Sequence, residues 1–164
     1  MIMYKELLNF NNLGSFEEIL FVFENISISN TKKLEDLRDF CLDSPRFIRL
    51  PFSGIILLLK FVNLIEIKDE SVIVTQSGNK FVELMGEDEG AKLLFASLLL
   101  DKIDDSVDLH EFLELIQVRY HTINNNYFFR INDCPLKYSN LRNLLLELGV
   151  FRFDYGYPDL LFIE

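Results

Sequence analysis

Ten nearly unbroken apolar positions, Ile55 to Leu64 (IILLLKFVNL), run without a linker into Glu66-Ile67-Lys68, a polar turn and the β-branched stretch Val72-Ile73-Val74. This order predicts a helix feeding directly into a β-hairpin. Beyond the hairpin, Thr75 can cap a further helix, Gly78 is small enough for close backbone packing, and Phe81, Val82 and Leu84 supply an apolar face. Upstream, Ser15 and Glu18 form a capping box, after which Phe16, Ile19, Leu20 and Phe23 share a helical face. Thr31 is placed to cap a second helix whose buried stripe is Leu34, Leu37, Phe40 and Cys41, with Lys32, Lys33, Glu35, Asp36 and Asp39 in solvent. Ser44-Pro45 ends it, and a third helix starts near Pro51-Phe52-Ser53. Residues 15 to 86 therefore read as three helices, a hairpin and a closing helix, preceded by a short arm.

This order, with the Thr-x-x-Gly-x-x-Phe run at Thr75, Gly78 and Phe81, resembles the segment that closes the wing in bacterial winged-helix proteins. An acid-rich turn, Gly86 to Gly90, separates it from Ala91 to Ile103, a helix apolar nearly all round. Such helices are buried on several sides, so this one is expected to be a spine packed between two halves of the protein or against a partner. Asp108 is suited to cap a helix carrying Leu109, Phe112, Leu113, Leu115 and Ile116. Asn124 to Asn126 reads as a turn, and Tyr127 to Ile131 as a short strand. The end of the chain repeats the opening theme at an offset of 86. Leu58, Leu59, Val62, Asn63, Leu64 and Ile67 correspond to Leu144, Leu145, Leu148, Gly149, Val150 and Phe153. The expected fold is mainly α with short β-hairpins, as tandem winged-helix modules packed on a central apolar helix. The boundaries follow: a winged-helix module with its arm over 1–86, the central helix over 87–106, and a second winged-helix-like module over 107–164.

The formal charge of −10 opposes broad, sequence-independent attraction to DNA or anionic lipid, because neutralising phosphates needs clustered cations. Cys41 and Cys134 lie far apart with no histidine near either, and read as buried free thiols. The longest apolar run, Leu93 to Leu100, is short of the ~20 residues a membrane span needs, and no signal-peptide pattern opens the chain. A soluble cytoplasmic protein without membrane partners is expected.

A helix that reads DNA must expose Arg, Lys, Asn, Gln or Ser toward base edges and phosphates. From Ile55 to Leu64 only Lys60 and Asn63 are polar, so the first candidate helix reads as buried against protein. The second is more open to DNA: Lys137, Ser139, Asn140, Arg142 and Asn143 line it, with Arg152 on the following strand, although Glu147 and Asp154 dilute their charge. Arg46, Arg49, Lys32 and Lys33 form a further basic set at the start of the third helix. Opposing them are Glu87 to Glu89 and the acidic run Asp101, Asp104, Asp105, Asp108, Glu111 and Glu114, which suits a basic patch on a partner protein.

Catalysis finds little support. Glu66-Ile67-Lys68 has the spacing of a restriction-type metal site with Asp43 upstream, but the inferred fold keeps Asp43 at a helix end and Glu66 on a wing strand. His110 and His121 sit on or near one helix without a third ligand at metal-site spacing. No phosphate loop, nucleophile elbow or Cys-His pair is present, and no cofactor or metal is expected.

The whole pattern is similar in style to small proteins and N-terminal domains of prokaryotic anti-phage defence systems. That resemblance implies a module beside an ABC-type ATPase, or one preceding a restriction-nuclease-like domain. The first expectation is thus a non-catalytic adaptor that mediates assembly with a larger ATPase or nuclease subunit of a DNA-handling complex. Its interface would be Leu93, Leu94, Leu98, Leu100, Asp101, Asp104 and Asp105, with Tyr155 and Tyr157 as aromatic anchors on a wing tip. The alternatives are a transcriptional regulator, dimeric through Ala91 to Ile103, and an accessory domain of a restriction-type nuclease.

Overall fold

The computed structural model describes residues 13–28, 33–47, 49–106, 118–123, 126–131, 136–149, 151–154 and 157–163, with side chains for those up to 102, Asp88 apart, and for 140–149. Helix α1 (Phe16–Ile28) starts on the capping box. Ser15 Oγ accepts from the Glu18 N–H at 3.2 Å, and Glu18 Oε1 accepts from the Ser15 N–H at 2.9 Å. Two otherwise orphaned donors are satisfied reciprocally. The helix buries Phe16, Ile19, Val22, Phe23 and Ile26.

Helix α2 (Leu34–Leu42) starts differently from the sequence expectation. Its N-cap is Lys33, which makes no side-chain cap bond, and Thr31 lies outside the described residues. The Leu34 N–H instead donates to the Glu70 carbonyl at 2.9 Å, while Lys33 bridges Ser71. A long-range contact thus replaces the local cap. Leu37 and Cys41 are buried and Leu34 is half-buried, but Phe40 is 64% exposed. At 100° per residue Phe40 falls off the Leu34–Leu37–Cys41 line, so its assignment to the buried stripe is corrected.

Helix α3 (Phe52–Phe61) buries Phe52, Ile55, Ile56, Leu58, Leu59 and Phe61, leaving Ser53 and Lys60 exposed. It feeds into β1 (Ile65–Lys68), which pairs antiparallel with β2 (Ser71–Val74), Ile65 opposite Val74 and Lys68 opposite Ser71. The intervening Asp69 and Glu70 both have positive φ, 50° and 65°. Two left-handed residues match the twist of a two-residue hairpin. Thr75 then caps α4 (Gln76–Leu84), and Phe81 is fully buried.

Helix α5 (Asp88–Ser106) is the long helix expected after the acidic turn. It is not buried on all sides: Ala91, Phe95, Ala96 and Leu99 are buried, whereas Glu89, Leu93, Ser97 and Asp101 form an exposed stripe at every fourth residue. Phe95 lies edge-on to Phe16 with centroids 5.6 Å apart and 6.0 Å from Phe81, which meets Phe23 at 5.3 Å. These rings tie α1, α4 and α5 into one core, which also takes in Leu141, Leu144, Leu145 and Leu148.

The remaining elements are β3 (Val118–Ile123), β4 (Asn126–Ile131), α6 (Leu136–Glu147), β5 (Phe151–Asp154) and β6 (Tyr157–Ile163). The strands form an antiparallel sheet in the order β3-β4-β6-β5. The strand expected over 127–131 is present as β4, but its partner β3 was not foreseen. His121 is on β3 opposite Phe128, and His110 lies outside the described residues. The helix expected from Asp108 lies outside the described residues.

The offset of 86 has a counterpart in the backbone. At the end of α3, Val62 N–H donates to Leu58 and Asn63 N–H to Lys60. At the end of α6, Leu148 N–H donates to Leu144 and Gly149 N–H to Leu146. Asn63 and Gly149 are both left-handed, with φ of 62° and 80°. β1 and β5 then span equivalent four-residue stretches, each paired antiparallel with the next strand. The chain is mainly helical with antiparallel hairpins, and it contains a repeated helix, left-handed turn and hairpin.

Candidate functional site

The Thr75, Gly78 and Phe81 run is structural. Thr75 Oγ1 accepts from the Gly78 N–H at 3.0 Å and donates to the Asn63 carbonyl at 2.6 Å. A Cβ on Gly78 would overlap the Leu64 carbonyl oxygen and come within 2.7 Å of Val74 Cγ1. These contacts hold α3, the hairpin and α4 at fixed angles. The start of α2 is fastened to the same hairpin by the Leu34 N–H, which donates to the Glu70 carbonyl.

Helices α2 and α3 present a groove of about 460 Å³ lined by Leu34, Glu35 and Arg38 of α2, Phe52, Ser53 and Ile56 of α3, and Glu70 of the hairpin turn. Its floor is apolar. Glu35, Arg38 and Glu70 are exposed at its rim, and among the described residues none of them makes an ion pair. Leu42, one turn beyond Arg38, extends the same side of α2 and is also exposed. Neither Glu35 nor Glu70 was singled out from sequence as part of a site. The spacing of Leu34, Arg38 and Leu42 on one helical stripe was the available signal, but Glu70 joins it only through folding.

The sequence-derived DNA set is divided. Lys137, Ser139, Asn140, Arg142 and Asn143 fall on α6 and Arg152 on β5, while the side chains of Lys137, Ser139 and Arg152 lie outside the described residues. Asn140 is half-buried and Asn143 exposed, and four residues on, the exposed stripe continues into Glu147. Arg142 is half-buried, and among the described residues its buried Nε has no hydrogen-bond partner. In the other basic set, Arg46 pairs with Glu17 at 3.0 Å and lies 5.7 Å from the Phe21 ring centroid and 5.2 Å from that of Phe47. It links α1 to the loop before α3 through a cation–π arrangement, with about half of its side chain still exposed to solvent.

The sequence-derived protein interface is clearer on α5. Leu93 is 68% exposed and Asp101 is exposed two turns later, whereas Leu94, Leu98 and Leu100 are half-buried against the core. Asp104 and Asp105 extend α5, Tyr157 opens β6, and their side chains, like the whole of Tyr155, lie outside the described residues. A second apolar surface joins Ile28, Ile73 and Val82, all exposed, around a shallow depression between α1, β2 and α4.

Asp43 is the C-cap of α2, and Glu66 and Lys68 are on β1. Among the described residues no group of three or more His, Cys, Asp or Glu side chains could hold a metal. No described helix is long and apolar enough to cross a membrane. Burial pushes the Cys41 thiol up to about 11, which makes it a poor nucleophile at neutral pH. In comparisons with known proteins, no family model, curated protein or solved structure matches this chain.

Proposed function

We propose that this chain is a non-catalytic adaptor built from two winged-helix-like units, which docks on a larger subunit of a DNA-handling complex. The observation that carries this reading is the composition of α3, the helix that would enter the major groove in a DNA-reading module. Its exposed polar side chains are Ser53 and Lys60, and the adjoining rim carries Glu35 and Glu70. Two side chains cannot supply a base-reading face, and the carboxylates oppose phosphate. The same position on α3 is therefore suited to protein.

Leu93 supports the reading from another side of the molecule, since a large exposed leucine within an otherwise polar stripe is a contact available to a partner. The repeat of helix, left-handed turn and hairpin supports two units of one kind. Against a simple wing in the second unit stands its four-stranded sheet, larger than a hairpin wing. Similarity in style to small components of anti-phage defence systems makes an ABC-type ATPase or a nuclease the partner class we favour, with the assembly in the cytoplasm. Chemistry would reside in that partner.

The test is titration of the chain against random-sequence and genomic duplexes at low and moderate salt, with light scattering for mass. The expected result is no salt-sensitive binding. Tight binding that falls with salt and is lost in Arg142→Ala would replace the adaptor with a DNA-binding regulator using α6.

A further inference from the structure

We infer that the groove between α2 and α3 receives an amphipathic segment of a partner protein, bearing an apolar anchor, Lys or Arg to meet Glu35 and Glu70, and a carboxylate to meet Arg38. The inference rests on the adaptor reading and names the chemistry of one of its contacts.

The groove's floor and rim make different demands. Leu34, Phe52 and Ile56 form an apolar floor, with the exposed Ser53 beside it, so the group that best displaces water from the floor is apolar. The rim is charged in a fixed pattern. Glu35, in the first turn of α2, and Glu70, in the left-handed hairpin turn, line the same groove from two separate elements. Neither has an ion-pair partner among the described residues, and Arg38, one turn along α2, has none either. Exposed charges without partners in the free protein are available for pairing across an interface, where they set register and partner choice more than affinity.

The rim geometry is also held rigidly. The Glu70 carbonyl accepts from the Leu34 N–H at 2.9 Å, and Lys33 bridges Ser71, so the hairpin turn is fastened to the start of α2. The backbone positions that carry Glu70 and Glu35 thus keep a set separation, and a bound segment meets a rim whose scaffold is pre-formed. Duplex DNA is the occupant that the same face of a DNA-reading module would take. Here it would bring phosphates toward both carboxylates while leaving the apolar floor without a partner. A second copy of this chain would present the same net negative surface, with a formal charge of −10. A segment carrying basic residues beside an apolar anchor satisfies floor and rim together.

The experiment is selection of binders from a displayed library of random peptides on the intact protein, followed by fluorescence titration of a synthesised binder. Expected binders combine an apolar residue with Lys or Arg and shift the methyl resonances of Leu34 and Ile56. Glu35→Lys with Glu70→Lys should weaken the selected peptide at least tenfold and restore binding to its charge-reversed counterpart. That restoration could not come from a misfolded variant. Failure to recover any binder, recovery of acidic peptides, or binding unchanged by the double substitution would overturn the inference. Salt-sensitive duplex binding lost in Arg142→Ala would instead remove the adaptor reading beneath it.

Discussion

Glu147, the last residue of α6, accepts a hydrogen bond through Oε1 from the backbone N–H of Phe16, the first residue of α1, at 3.1 Å and across 131 positions of sequence. The Ser15–Glu18 box leaves that first N–H of α1 without a partner of its own, and a carboxylate at a helix N-terminus also meets the positive end of the dipole. Phe16 packs its ring on Phe95 at the same place, so one residue binds α1 to both α5 and α6. Replacing Glu147 by Ala should lower stability by about 1 kcal/mol. Glu147→Gln, which keeps an acceptor, should lose less. Urea denaturation checks this: the midpoint should fall in Glu147→Ala with the slope unchanged, and equal losses in both variants would mean that the hydrogen bond contributes little beyond charge.

Gly78 is the position where the first unit tolerates least. A methyl group there meets backbone oxygen and a β-branched side chain, neither of which can swing aside. Gly78→Ala should therefore destabilise by about 3 kcal/mol, at the upper end of overpacking costs. Thr75→Ala should cost about 1 kcal/mol through the lost cap, with Thr75→Ser nearly neutral. Thermal unfolding of the three variants ranks them. A Gly78→Ala protein as stable as the parent would show that α4 can move away from the hairpin.

What was legible in the sequence was local. Ser15 with Glu18, Thr75 with Gly78, and the polar turn before Val72 each satisfy nearby backbone groups, and the structure forms all three. The end of α6 was found through its likeness to the end of α3. Strand β3 was missed although Val118, Tyr120 and Thr122 alternate with Arg119 and His121, because the run follows directly on the apolar positions Leu109 to Ile116 that read as a helix. The candidate groove was missed for a different reason. Its lining comes from α2, α3 and a hairpin turn, and the bond from Leu34 to Glu70 that unites them spans 36 positions. Phe40 and Leu93 show the limit of counting apolar residues: each belongs to a helix with an apolar stripe, yet each lies off the line that faces the core.

Asn63 and Gly149 give the repeat a test in stability. Both end a helix in the left-handed region, where a Cβ is disfavoured, and Asn tolerates that region better than most residues with side chains. Asn63→Gly should be nearly neutral, whereas Asn63→Ala and Gly149→Ala should each destabilise by about 1 kcal/mol. Among the described residues nothing lies within 4 Å of a Cβ at Gly149, so the expected cost there is conformational. Denaturant midpoints of the three variants decide the matter. Gly149→Ala as stable as the parent would remove the equivalence between the two helix ends.

Cys41 ties stability to alkaline pH. The thiol is buried in α2, and burial alone raises it from its ordinary value of 9.0 to about 11 in the folded protein. Below pH 9 both folded and unfolded chains hold the proton, and the stabilising contribution is complete. Between about 9 and 11 the unfolded thiol ionises while the folded one does not, so the unfolded state binds fewer protons and stability falls as pH rises. The accumulated loss is on the order of 2–3 kcal/mol, given 1.36 kcal/mol per unit. Cys41→Ala would also leave a cavity, so its absolute stability is a poor readout and the slope against pH is the useful one. In a Cys134→Ser background, urea midpoints measured across this window should decline, and the additional Cys41→Ala change should flatten the decline. Thiol labelling at neutral pH should likewise be slow in the folded protein and fast in denaturant. Rapid labelling without denaturant would mean that α2 opens readily, and the groove it forms with α3 would then be a transient surface.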